Sequence, residues 1–177
     1  LGDVEQALAY LEEALPLFQT YADAYALTNL LQYLEVTYTR LGRSQEANAC
    51  LQEVVALRRS LGSAGALALA LNNLGYHYQQ LGDYQQALVT FQEGLRIVAH
   101  VPDKRAESYL RWSLGDLQRD QGVFDEAIRL YNKALELIGG SEPSLRASIL
   151  ISASNLQRWR LKLHEALLLA DEATALS

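Results

Sequence analysis

The chain has 177 residues, half of them apolar and a fifth charged, with a formal net charge of −6. That balance excludes a disordered segment, and no apolar run approaches the roughly 20 residues that span a bilayer. Acids and bases are interleaved without any cluster of Lys and Arg, which argues against contact with a nucleic-acid backbone.

Only three prolines occur, and Ala and Leu dominate, so the composition favours helix over sheet. The first segment, Leu1-Gly2-Asp3-Val4-Glu5, has no basic stretch leading into an apolar one and does not read as a secretory signal. Methionine is absent throughout, and the chain reads as an internal piece of a longer protein. The single cysteine, Cys50, has no internal disulfide partner, and a cytoplasmic setting is expected.

In chain order the apolar spacing predicts a helix over 3–18, then helical hairpins at about 21–60, 63–100, 103–139 and 142–176. Gly2, Gly42, Gly82 and Gly122 fall 40 residues apart, and five residues after each stands Ala7, Ala47, Ala87 or Ala127. A fifth alanine, Ala166, follows after 39. The segments beginning at Glu5, Gln45, Gln85, Asp125 and His164 align with one another, each with an apolar face of helical period. A second helical stretch precedes each glycine, as in Leu30, Leu31, Leu34, Tyr38 and Leu41, or Leu67, Ala70, Leu71, Leu74 and Tyr78. Between the two helices lies Leu-Gly-Asp or a variant, where glycine permits a positive φ and Asp83 can cap the next helix.

One such hairpin cannot cover its own apolar face and must stack on the next. Gly75 and Gly115, midway along first helices, and the alanines early in second helices mark close approaches. The leucines and most of the tyrosines are expected in the core.

Leu71, Leu74, Gly75, Tyr78, Gly82, Ala87 and Phe91, and again Leu114, Gly115, Gly122, Ala127, Tyr131 and Ala134, resemble the tetratricopeptide repeat. The 40-residue period exceeds the usual ~34 and is similar to the extended type of kinesin light chains, LGN-type adaptors, Rap-type peptide sensors and MalT-like bacterial regulators. The resemblance implies an all-α fold, a right-handed superhelical solenoid of antiparallel helix pairs with about four and a half repeats, forming one domain over 1–177. Departures are Glu35 and Ser154 at the glycine position, Arg111 at a large apolar position, and Gln118 in place of tyrosine.

The resemblance also implies a site, because first helices line the concave face in this family and partners bind there. By register that face presents Gln32, Val36, Thr39 and Arg40; then Asn72, Asn73, Tyr76, Gln79 and Gln80; then Tyr109, Trp112, Asp116 and Arg119; then Ile151, Asn155, Arg158 and Trp159. An asparagine amide carries both a donor and an acceptor and can pair with a peptide group whatever the neighbouring sequence. The aromatic residues would anchor a ligand.

His77, His100 and His164 are isolated, read as surface or half-buried residues, and no metal or cofactor is expected. The carboxylate pairs Glu12–Glu13 and Asp125–Glu126 read as solvated faces. The sequence therefore points to a non-catalytic protein- or peptide-binding scaffold, the repeat segment of a multidomain, bacterial transcriptional or signalling regulator. Its partner would be a protein or peptide in the concave groove, with no membrane and no nucleic acid contacted by this segment. The alternatives are a solenoid that senses a small-molecule effector, and a self-association or spacer arm acting through the terminal helices.

Overall fold

The computed structural model describes residues 2–21 and 23–176; Leu1, Ala22 and Ser177, which the expected span of 1–177 includes, lie outside the described residues. Those residues form helices and turns, with no strand among them. The helices are α1 (Gly2–Tyr21), α2 (Ala24–Arg40), α3 (Ser44–Ser60), α4 (Ala64–Gln80), α5 (Tyr84–His100), α6 (Lys104–Asp120), α7 (Phe124–Ile138), α8 (Pro143–Trp159) and α9 (Leu163–Thr174). Each packs on its neighbour in sequence, and α4 also packs on α6. The first helices α2, α4, α6 and α8 thus make one layer and α3, α5, α7 and α9 the other.

The period has a simple origin. Helices α2 to α6 each have 17 residues and are joined by three-residue turns. The last period is one residue shorter because α7 has only 15 residues. Gly139 at φ 54° ends it there, and the turn that follows is one residue longer.

Within each hairpin the turn closes by a bond from an amide to the carbonyl five residues back. Arg43 N donates to Tyr38 O (2.9 Å), Asp83 N to Tyr78 O (2.9 Å), Val123 N to Gln118 O (2.8 Å) and Lys162 N to Gln157 O (2.9 Å). This closure needs a residue in the left-handed region. Gly42, Gly82 and Gly122 supply it at φ 73°, 79° and 79°, but the fourth turn has Leu161 at φ 59°. A Cβ in that region costs about 1–2 kcal/mol, so the last hairpin carries strain that the others avoid. Asp23, Asp83 and Asp103 cap α2, α5 and α6, accepting bonds from the amides of Ala26 (2.8 Å), Gln86 (3.1 Å) and Ala106 (2.9 Å).

Three apolar clusters run along the stack. Leu8, Leu31, Leu34, Leu51, Val54 and Leu71 tie α1 through α4. Ala68, Ala87, Phe91, Ala106, Leu110 and Leu117 tie α4 through α6. Ala127, Tyr131, Ala134, Leu145, Ile149 and Leu156 tie α7 to α8.

The close approaches are where small residues stand. A Cβ at Gly75 would lie 2.6 Å from Phe91 Cε1, and one at Gly115 would lie 2.6 Å from Tyr131 Cε1. The aromatic ring of the second helix fills the notch that glycine leaves in the first. In the other two hairpins both members change together, with Glu35 over Leu51 and Ser154 over Ala170 at the same register. The larger first-helix residue is matched by a smaller second-helix one, as close packing demands.

Four expectations need correction. The leucines are not all core: Leu17, Leu81, Leu161, Leu163, Leu167 and Leu168 are exposed, on faces against which no further described helix packs. Ala7 is exposed, unlike Ala47, Ala87, Ala127 and Ala166, because no first helix packs on that side of α1 among the described residues. Most tyrosines are not core: Tyr10, Tyr21, Tyr25, Tyr33, Tyr76 and Tyr84 are exposed, and only Tyr38 and Tyr131 are buried. Tyrosine tolerates half-burial because its hydroxyl can stay wet while its ring packs. His77 is buried and not at the surface or half-buried, and its Nε2 finds a polar partner 3.2 Å away in the Ser44 carbonyl oxygen.

Candidate functional site

The layer of first helices has a groove of about 560 Å3 running across α2, α4 and α6. Its walls are Glu35 and Thr39 of α2, Ser44 at the start of α3, Asn72, Asn73, Tyr76, His77 and Gln80 of α4 with Leu81 after it, and Tyr109, Trp112, Ser113 and Asp116 of α6. These positions recur at steps of three and four on each helix, so each helix turns one stripe toward the same space.

Its two sides differ. On α4 the side chains of Asn72, Asn73, Tyr76 and Gln80 make no hydrogen bond to one another or to any other described residue. Asn72 is buried, and its Oδ1 has no donor. A buried carbonyl oxygen without a donor costs about 1–3 kcal/mol, and the fold alone gives no return for it.

On α6 the polar groups are committed. Trp112 Nε1 donates to Ser152 Oγ of α8 (2.9 Å). Tyr131 of α7 donates its hydroxyl to Asp116 (2.6 Å), and Arg119 donates to Asp116 (2.7 Å) and Asp120 (2.8 Å). Gln79 Nε2 donates to Asp120 Oδ2 (2.7 Å), joining α4 to α6. The Arg119 guanidinium lies 5.7 Å from the centre of the Trp159 ring of α8. This network braces three successive first helices.

Burial pushes the Asp116 carboxyl above its ordinary range, against the opposing pull of Tyr131 and Arg119. The same burial, with Asp116 beside it, raises the Tyr131 hydroxyl far above a normal phenol. Burial works against the Arg119 charge, but Asp116 and Asp120 more than offset it and hold the guanidinium above its usual value.

The structure therefore brings together Thr39, Asn72, Asn73, Tyr76, Gln80, Tyr109, Trp112 and Asp116 of the residues expected on this face. It separates the rest. Gln32, Val36 and Arg40 stand on α2 outside the groove, Gln79 is buried in its bond to Asp120, and Arg119 is held by two carboxylates. Ile151, Asn155 and Arg158 line a second cleft of about 270 Å3 between α8 and α9, with Ser154, Ala170, Ala173 and Thr174. That cleft opens where Ala170 holds the register of the Phe91 and Tyr131 rings. Trp159 is exposed beneath Arg119. Sequence reasoning missed Glu35, Ser44, His77, Leu81 and Ser113. Glu35 had a signal: it is a charge at the glycine register, one turn before Thr39.

Among the described residues no group of three or more His, Cys, Asp or Glu could hold a metal ion, and no helix is long and apolar enough to cross a membrane.

Residues 66–139 match the tetratricopeptide repeat family model. No curated protein matches the chain in sequence. Solved structures do resemble it. BtubC (BKLC) from P. vanneervenii is 21% identical with a TM-score of 0.75, covering 99% of this chain and 73% of its own. A Podosopora anserina protein of kinesin-light-chain type, with nearly identical TPR-like repeats, is 19% identical with a TM-score of 0.70, covering 99% and 87%. The apo form of RapI is 12% identical with a TM-score of 0.80, covering 99% of this chain and 49% of its own. At these identities the likeness is one of fold.

Proposed function

We propose that this chain, a tetratricopeptide-type solenoid by fold and by its match over 66–139, is a non-catalytic scaffold that holds an extended peptide segment of a protein partner in the groove across α2, α4 and α6. Repeats of this type generally serve protein–protein interaction. The observation that supports the reading here is the α4 stripe. Asn72, Asn73, Tyr76 and Gln80 present amide and hydroxyl groups to one space, and none of them pairs with another described residue. A peptide backbone offers a donor and an acceptor at every residue, which is what such a row of amides can satisfy. The half-exposed Tyr76 ring and the tilted pair Tyr109–Trp112, with centroids 6.2 Å apart, give apolar surface beside it. A setting within a multidomain regulator rests on the 40-residue period alone.

The test is selection of random displayed peptides on the wild type, beside the variant Asn72→Ala/Asn73→Ala/Tyr76→Ala. Circular dichroism would first establish that the variant folds. Peptides retained by the wild type and lost by the variant support groove recognition. Retention by both, or no enrichment at all, removes it.

A second reading has its own observation. Leu161, Leu163, Leu167 and Leu168, in α9 and the turn before it, are all more than half exposed, a surface suited to self-association. Sedimentation over a range of concentrations would reveal it as a rising mass.

A further inference from the structure

Resting on the groove reading above, we propose that the occupant is cationic: an extended peptide that places a Lys or Arg side chain against Glu35. Three observations on different elements converge on this.

The first is Glu35 itself. At its register the other hairpins hold Gly75, Gly115 and Ser154, and the first two are notches that receive an aromatic ring. The smaller Leu51 makes room for a larger residue at this register, but packing does not call for a carboxylate there, and such breaks of a local rule collect at functional positions. Its carboxylate lines the groove and accepts one bond, from Thr39 Oγ1 at 3.1 Å. It has no ion-pair partner among the described residues.

The second is the charge of the remaining wall. No Lys or Arg lines the groove. Asp116 lies across from Glu35, in a cluster where Asp116 and Asp120 share the single cation Arg119. That cluster keeps one negative charge in excess. Arg40, at the end of α2, is exposed and outside the lining. Arg105, beside Tyr109, is paired with Glu142. An acidic ligand would meet repulsion from both sides, and a cationic one attraction from both.

The third is independent of charge. Asn72, 7% exposed, lines the groove with a side-chain amide that bonds to no other described residue. An ammonium or guanidinium brings three or five donors and no acceptor, so it matches a lining of carboxylate, amide and phenol oxygens. Tyr76, Tyr109 and Trp112 supply ring faces for its aliphatic stem and for cation–π attraction.

The experiment takes the peptides selected on the wild type and measures each by fluorescence anisotropy beside its neutral isostere, with citrulline for Arg or norleucine for Lys. Binding is read on the wild type, on Glu35→Gln, and on Glu5→Gln, which removes the same charge from α1. Selected peptides should be rich in Arg or Lys. Neutralising the key residue should weaken binding to the wild type and to Glu5→Gln about tenfold, or about 1.4 kcal/mol, and to Glu35→Gln by a factor nearer two. Added salt should narrow the difference in the wild type. Peptides free of Arg and Lys, or an equal loss on Glu35→Gln, would overturn the proposal while leaving groove recognition intact. A library giving no peptide that is lost on the Asn72→Ala/Asn73→Ala/Tyr76→Ala variant would remove the groove reading, and this inference with it.

Discussion

Replacing Gly75 with alanine sets two known effects against each other at one buried position. In a helix interior alanine is favoured over glycine by about 0.8–1.0 kcal/mol, so propensity alone makes Gly75→Ala stabilising. The notch opposes it. The new methyl would stand 2.6 Å from Phe91 Cε1, 2.7 Å from Cδ1 and 3.1 Å from Cζ. Carbon atoms rest at about 3.5–4.0 Å, so the ring must withdraw by roughly 1 Å. Phe91 is completely buried among Ala68, Ala87 and Leu110, and forced repacking in such a site costs about 1–3 kcal/mol. The net expectation is a loss of about 1 kcal/mol. The decisive measurement is a double-mutant cycle with Phe91→Leu, which borrows the leucine that Leu51 provides in the first hairpin. Urea midpoints at a common slope give the four stabilities. Removing the ring should relieve the methyl, so that the double variant is more stable than additivity predicts by about 1–2 kcal/mol. If Gly75→Ala alone is neutral or stabilising, or the pair is additive within about 0.3 kcal/mol, the ring-in-notch argument is refuted.

Leu161→Gly should stabilise the chain by about 1 kcal/mol, seen as a raised thermal midpoint, because it removes a Cβ from the one left-handed residue among those described that has it; an unchanged or lowered midpoint would show that the turn is relaxed. Ala87→Leu and Ala127→Leu should each destabilise by about 1–3 kcal/mol, since both alanines are completely buried. Cys50 should resist a thiol reagent at neutral pH until denaturant is added, because burial pushes its thiol up to about 11 and leaves almost no thiolate. For Asp116 the folded state holds its proton more tightly than the unfolded one, as burial raises its carboxyl. Its contribution is therefore fully present below the unfolded value and is lost as pH rises through the raised folded value. Asp116→Asn should remove that slope, measured as the difference in urea midpoint between variant and wild type as pH rises from the ordinary carboxylate range; parallel curves would show that Asp116 does not titrate in this way.

The fold was legible because it is written five times. A glycine that closes a turn and an alanine that admits a neighbouring helix have narrow physical requirements, so the same types return at the same interval and expose the period. Gly75 and Gly115 could be read as close approaches without knowing what approached, since only a missing Cβ explains glycine inside a helix. Burial of individual large residues was less legible. Tyr33, Tyr76 and Tyr84 carry the same aromatic ring as Tyr131, yet only Tyr131 has a notch beneath it and a carboxylate for its hydroxyl.

The groove was half legible, for a related reason. Register places a residue on a helix face but does not say what that face meets. Asn72 and Gln79 are both buried amides on the same helix. Gln79 finds Asp120 on the next first helix, and Asn72 finds no protein partner. That difference turns on whether the following helix offers a carboxylate within reach, and Asp120 is 41 residues away in sequence. Glu35 stands out from sequence only as a departure. Its charge at the glycine register is legible, but among eight acids in the first third of the chain nothing in the sequence says that it lines a groove without an ion-pair partner. The bonded side of the wall braces the stack, and the unbonded side is the part of it that the fold does not use.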